Sequence, residues 1–265
     1  MNLFESDLTL FHACGYILLS ILIGRLKKYT TAVLFVALSL VFLHGLGLLL
    51  PWFALKGFEF GLLKAVVWTM WLASILVCLE AFFRNIFPRI TVPIFFLTGV
   101  FTLLDGILPS PTLSNDLGIV FQAHILIAML SYACLVFTSA RAATIHLQEN
   151  SLREPIIKQP DHSLPSLVEL DASLQRLLLI TFVLLSGTLL TGILVNISSG
   201  NAFLIFDHKT FFSLLAWILI GMIIGGKQFF GWRGRMVAKM TMIGCFLVIL
   251  SYLGTQFVIE IILEI

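Results

Sequence analysis

Apolar residues in this chain run in blocks too long for a soluble helix, and most polar residues fall between the blocks. Eight such blocks occupy roughly 8–24, 31–54, 62–83, 90–108, 118–145, 174–197, 208–226 and 236–260. Each approaches the run of about 20 apolar residues that crosses a bilayer as a helix. The pattern predicts an all-α polytopic membrane bundle of about eight transmembrane helices, forming one integral membrane domain over 1–265. The sizeable polar interruption is 146–173, which carries Pro155, Pro160 and Pro165 and reads as a solvated loop, with a short amphipathic helix near 164–174. The first block follows Glu5 and Asp7 rather than basic residues, so it is expected to be a retained span and not a removed signal.

The fifth block has an internal pattern of its own. His124, Ala128, Ser131, Leu135, Thr138 and Ala142 recur at helical spacing and form a small, partly polar face. Leu126, Met129, Leu130, Ala133, Val136 and Phe137 form the other face, predicted to meet lipid. An imidazole on the inner face of a membrane span marks a functional candidate.

Charge orients the bundle. Thirteen of the sixteen basic residues fall in the connections after spans one, three, five and seven or at their ends; Lys56, Lys64 and Lys209 fall on the other side. Basic loops stay cytoplasmic, so both termini are predicted to be periplasmic. Composition agrees with a membrane class: 59% of residues are hydrophobic and 11% charged, against about 25% charged in soluble domains. No basic footprint for nucleic acid is present.

Candidate chemistry is sparse. Cys14, Cys78, Cys134 and Cys245 lie inside apolar blocks without CxxC spacing, which fits packing rather than disulfide exchange. There is no phosphate-binding glycine loop, HExxH or nucleophile elbow, so the protein is expected not to be an enzyme. Acids inside the spans are few, which counts against a small-molecule or ion permease. Histidines stand out instead. His12, His44, His124 and His208 fall toward the outer side, with His44 and His124 at similar depth. His146 and His162 fall in polar sequence at the inner side. Neutral imidazole is the commonest protein ligand of transition metals and serves haem iron. Trp68, Trp71 and Trp217 are placed to line a flat apolar cofactor.

Two stretches resemble a known family. His124-Ile-Leu-Ile-Ala-Met-Leu-Ser-Tyr-Ala133 is similar to the histidine-containing motif of the CcsA/CcmC/CcmF group, membrane proteins that handle haem in cytochrome c maturation. The stretch from Asp207 to Trp217 resembles the start of a later helix in that group, with Asp207, Lys209, Ser213 and Trp217 in register. The ending, Phe230-Gly-Trp-Arg-Gly-Arg235 and then Ser251-Tyr-Leu-Gly254, is similar to the bacterial YpjD branch. The resemblance implies an inner-membrane cytochrome c assembly protein that binds or passes haem near the outer leaflet. His124 would be the leading axial ligand and metal-binding residue, His44 or His208 would complete the site, and Trp217 would flank the cofactor. Partners would be the lipid bilayer, haem and other maturation proteins. The connection from Asn196 to Asp207 has no tryptophan, and Gly225 stands where the family has a histidine. Those departures define the alternative, a haem-free scaffold or accessory subunit that keeps the fold.

Overall fold

The computed structural model describes residues 3–25, 31–53, 58–59, 61–85, 87–108, 112–113, 118–153, 166–200 and 207–254. Its helices are α1 (Leu3–Arg25), α2 (Thr31–Phe53), α3 (Leu62–Arg84), α4 (Thr91–Ile107), α5 (Ile119–Arg153), α6 (Leu167–Ser198), α7 (His208–Phe229) and α8 (Arg235–Ile249), the last running into a π-turn at Leu250–Gly254. Among the described residues, seven of these are long and apolar enough to cross a membrane, and α4, with 17 residues, is shorter. The protein is a multi-pass membrane protein. Two two-residue strands, β1 (Phe58–Glu59) and β2 (Thr112–Leu113), pair antiparallel, Phe58 opposite Leu113.

Three boundaries differ from the sequence expectation, each for a local reason. Helix α4 stops at Ile107 because Leu108 is extended, as the residue before a proline prefers to be, and Pro109 follows. The polar interruption is narrower than 146–173, since α5 runs on to Arg153 and α6 begins at Leu167. The start of α6 is capped by Ser166, whose hydroxyl accepts from the Glu169 amide at 3.2 Å. The predicted short helix is thus the first turns of α6. The last block's α-helix ends at Ile249, and the tail of that predicted span, 255–260, lies outside the described residues, as does His162.

The chain divides into two compact units, Met1–Gly118 and Ile119–Ile265. In the first, α1 packs on α2 and α4, and α3 closes the ring between them. Neighbours run antiparallel. Gly106 of α4 lies beside Thr9, and Gly99 lies beside Ala13 and Ile17, where any larger side chain would collide. Lys64 of α3 pairs with Asp105 of α4 at 2.8 Å, closing one end, while Arg25 and Arg84 finish α1 and α3 at the other.

The second unit is a ring of the same order: α5 on α6 and α8, with α7 between those two. Its core is Leu135, Leu170, Leu174, Leu178, Leu185, Ile220 and Ile223 with their neighbours. Small hydroxylated residues knit α5 to α6, as where Thr138 Oγ1 lies 3.1 Å from Thr181 Oγ1. The face of α5 carrying Ala128, Ser131, Leu135, Thr138 and Ala142 is buried as expected. The other face is not uniformly lipid-facing: Leu126 and Leu130 are exposed, but Met129, Ala133 and Phe137 are buried. Helix α5 therefore lies inside the protein over most of its circumference, which a two-face reading of one helix misses.

Candidate histidine site

Of the residues behind the family resemblance, His124, 207–213, Ser251 and Tyr252 are drawn from distant parts of the chain and fall at one end of the second unit, where α5 and α7 begin and α6 and α8 finish. The stretch 230–235 lies at its other end. His124 lies in the second turn of α5 and is half-buried. Its Nδ1 is 2.9 Å from Thr191 Oγ1 of α6. Thr191 has one hydroxyl hydrogen, and it donates to the Gly187 carbonyl at 2.8 Å, with the Thr188 carbonyl at 3.1 Å. With that hydrogen so directed, the oxygen is free to accept from His124 Nδ1–H, the tautomer in which Nε2 keeps its lone pair. A ligating histidine is commonly held this way, by a hydrogen bond from its other ring nitrogen. Beyond Thr191, Gly192 brings the α6 backbone to the imidazole edge: a Cβ there would lie 3.3 Å from His124 Cε1. Ser131, two turns deeper on the same face, has a buried hydroxyl with no hydrogen-bond partner among the described residues.

Helix α7 begins at this end. Asp207 caps it by accepting from the Thr210 amide at 2.8 Å. His208 follows and is exposed. Lys209 turns inward, its Nζ 5.3 Å from the centre of the Tyr252 ring. Tyr252 lies on the π-turn and faces Tyr132 of α5, ring centres 6.1 Å apart. Ser251 donates to the Lys209 carbonyl at 2.8 Å and lies 2.7 Å from Ser213 Oγ. A π-turn often marks a functional position; here it presents Ser251 and Tyr252 to the start of α7. Trp217 lies deeper, with its indole N–H given to Ser186 Oγ at 2.7 Å and its ring stacked on Phe182, 5.2 Å away.

His44 belongs to the first unit and has a different setting. Its ring stacks on His12 of α1, centroids 4.9 Å apart and planes 28° from parallel. Its Nδ1 lies 3.3 Å from the Tyr16 hydroxyl. Both histidines are buried, and His12 Nε2 has no hydrogen-bond partner among the described residues. Trp71 of α3 gives its N–H to the Val41 carbonyl at 2.8 Å and meets Trp68 edge-on. The His12–His44 stack is absent from the sequence expectation. A signal for it exists, because His12 is nine residues from Leu3 at the start of α1 and His44 nine from Phe53 at the end of α2. Among the described residues, no cluster of three or more His, Cys, Asp or Glu side chains could hold a metal ion.

A ring of membrane helices with a half-buried imidazole near one end defines a polytopic membrane protein. The chain belongs to the cytochrome c assembly protein family, whose model matches residues 2–263. Among its relatives, a 28.8 kDa uncharacterized protein of Azospirillum brasilense is 29% identical over 172 residues, 64% of each chain. The cytochrome c biogenesis protein CcsA of Prochlorococcus marinus subsp. pastoris is 27% identical over 72% of this chain and 68% of its own. The inner membrane protein YpjD of Escherichia coli K12 is 26% identical over 52% of each. The first of these alignments thus spans a little under two thirds of that relative. No solved structure matches the chain.

Proposed function

We propose that this protein is a non-enzymatic haem-handling member of its family, resident in a bacterial inner membrane. His124 supplies Nε2 to the haem iron. The observation that carries this reading is the Thr191 contact, which favours the tautomer a metal ligand needs. The surroundings suit the group: an apolar helical ring, a Ser131 hydroxyl on the same face with no partner among the described residues, and a glycine at the imidazole edge. When bound, haem supplies an iron whose potential is set by its axial ligands; the chain's own residues bind, orient and exclude water. His208, exposed at the start of α7, would be the candidate second ligand within this unit, and Trp217 braces α7 against α6 through Ser186 and Phe182. His44, the other histidine singled out from sequence, is packed against His12 in the first unit. Covalent attachment to a cytochrome belongs to maturation partners.

All eight helices cross the bilayer in this reading, α4 included, since 17 residues rise about 25 Å. The basic end of each unit then faces the cytoplasm and both termini face the periplasm, in keeping with the positive-inside bias. The test is the visible spectrum of protein purified from haem-replete cells. A Soret band that His124→Ala removes is expected. No band, or one that survives His124→Ala unchanged, overturns the reading in favour of a haem-free scaffold.

A further inference from the structure

At the opposite end of the second unit, the turn joining α7 to α8 is built unlike an ordinary solvated loop. The Phe230 and Trp232 amides both donate to the Gly226 carbonyl, at 3.0 and 3.1 Å. The Trp232 indole lies directly on Gly226, where any side chain would collide, and Phe230 stacks beside it at 6.2 Å. Gly231 and Gly234 take positive φ, 67° and 62°, which lets the chain reverse in this space. The turn is thus held in one shape.

What it presents is aromatic and predominantly basic, with the Glu149 carboxylate of α5 packed against Gly234. Phe229 and Phe230 are 81% and 77% exposed. Arg233 and Lys239 are exposed and Arg235 half-buried, and none of the three is ion-paired among the described residues. Lys227 differs, its charge being taken up by Asp171 at 2.8 Å. Exposed aromatics at the end of a span sit at headgroup level. Basic side chains beside them attract anionic lipid, each by roughly fivefold in affinity. We propose that this turn is a docking site for the phosphate headgroup of an anionic phospholipid, the phenylalanines setting depth while Arg233, Arg235 and Lys239 hold the phosphate. Net negative charge on the headgroup is the feature recognised, so zwitterionic lipid is a poor occupant.

The experiment is a titration of phosphatidylglycerol into the purified full-length protein in neutral detergent, followed by native mass spectrometry and by the thermal shift. Wild type is expected to bind the lipid and gain stability in a salt-sensitive way, with phosphatidylcholine much weaker. The variant R233Q/R235Q/K239Q is expected to bind about a hundredfold more weakly, and R233K/R235K/K239R to bind like wild type. Arg84→Gln, on the basic end of the first unit, should leave affinity unchanged. Binding unaltered in the glutamine variant, equal binding of phosphatidylcholine, or displacement of the lipid by an equal concentration of inorganic phosphate would each overturn the proposal. Should the glutamine variant fail to fold, Arg233→Gln and Lys239→Gln, both at exposed positions, carry the test singly.

Discussion

His124 Nδ1 and Thr191 Oγ1 meet at 2.9 Å across the α5–α6 interface, and the threonine hydrogen is already committed to the Gly187 carbonyl. This one relation favours the tautomer in which an apolar helix's histidine is a donor on one side and a lone pair on the other. Thr191→Val keeps the shape and removes the acceptor. It is expected to weaken haem binding by about 10–100-fold, the usual effect of losing such a supporting contact, with helix packing retained. A haemin titration of the purified variant, read at the Soret maximum, measures it.

The His12–His44 stack leads to a different expectation. Two imidazoles bound trans to one metal, with bonds of about 2 Å, meet it end-on through in-plane lone pairs, with ring centroids roughly 6 Å apart and the rings not face to face. At 4.9 Å the pair as arranged is a packing element. His12→Phe preserves the stack and deletes a buried ring nitrogen that has no partner among the described residues. Thermal stability in detergent should therefore hold or rise by about 1 kcal/mol. A fall of several degrees would mean that His12 Nε2 serves a group outside the described residues.

Gly45 stands directly under the Trp71 ring, whose N–H reaches the Val41 carbonyl at 2.8 Å. Gly45→Ala forces the indole away and breaks that bond. We expect a loss of about 2–3 kcal/mol from overpacking and the lost hydrogen bond, seen as a lower melting temperature and altered tryptophan fluorescence.

Lys227 and Asp171 form an ion pair between α7 and α6, the lysine side chain only 3% exposed. Asp171→Asn leaves a buried ammonium without its partner and should cost about 3 kcal/mol. The double variant K227M/D171L removes both charges and is expected to recover most of that loss. A double-mutant cycle by thermal unfolding checks the pair.

Sequence reading located all eight helices because each apolar block is its own signal. It placed boundaries less well where a cap or proline acts on one residue, as at Ser166 and Leu108. The site was visible in part. His124 stands out as an imidazole in an apolar helix, whereas Thr191 is one of several small residues in α6, and its role depends on the register between two helices. That register is set by packing, as between Thr138 and Thr181. Tyr252 and Lys209 are likewise 43 residues apart and joined only by the fold. His44 was singled out for its depth, but its partner His12 needed the α1–α2 pairing to be seen. The two-face reading of α5 misled because Met129, Ala133 and Phe137 are buried as well, so more than one face of the helix is covered.

The most direct test of the central claim is a cavity rescue. His124→Gly is purified from haem-replete cells, and imidazole is then added to the haem-reconstituted protein. If His124 Nε2 ligates haem, the variant lacks the wild-type Soret band and imidazole restores its position and intensity. A variant that keeps the wild-type spectrum without imidazole would contradict the account.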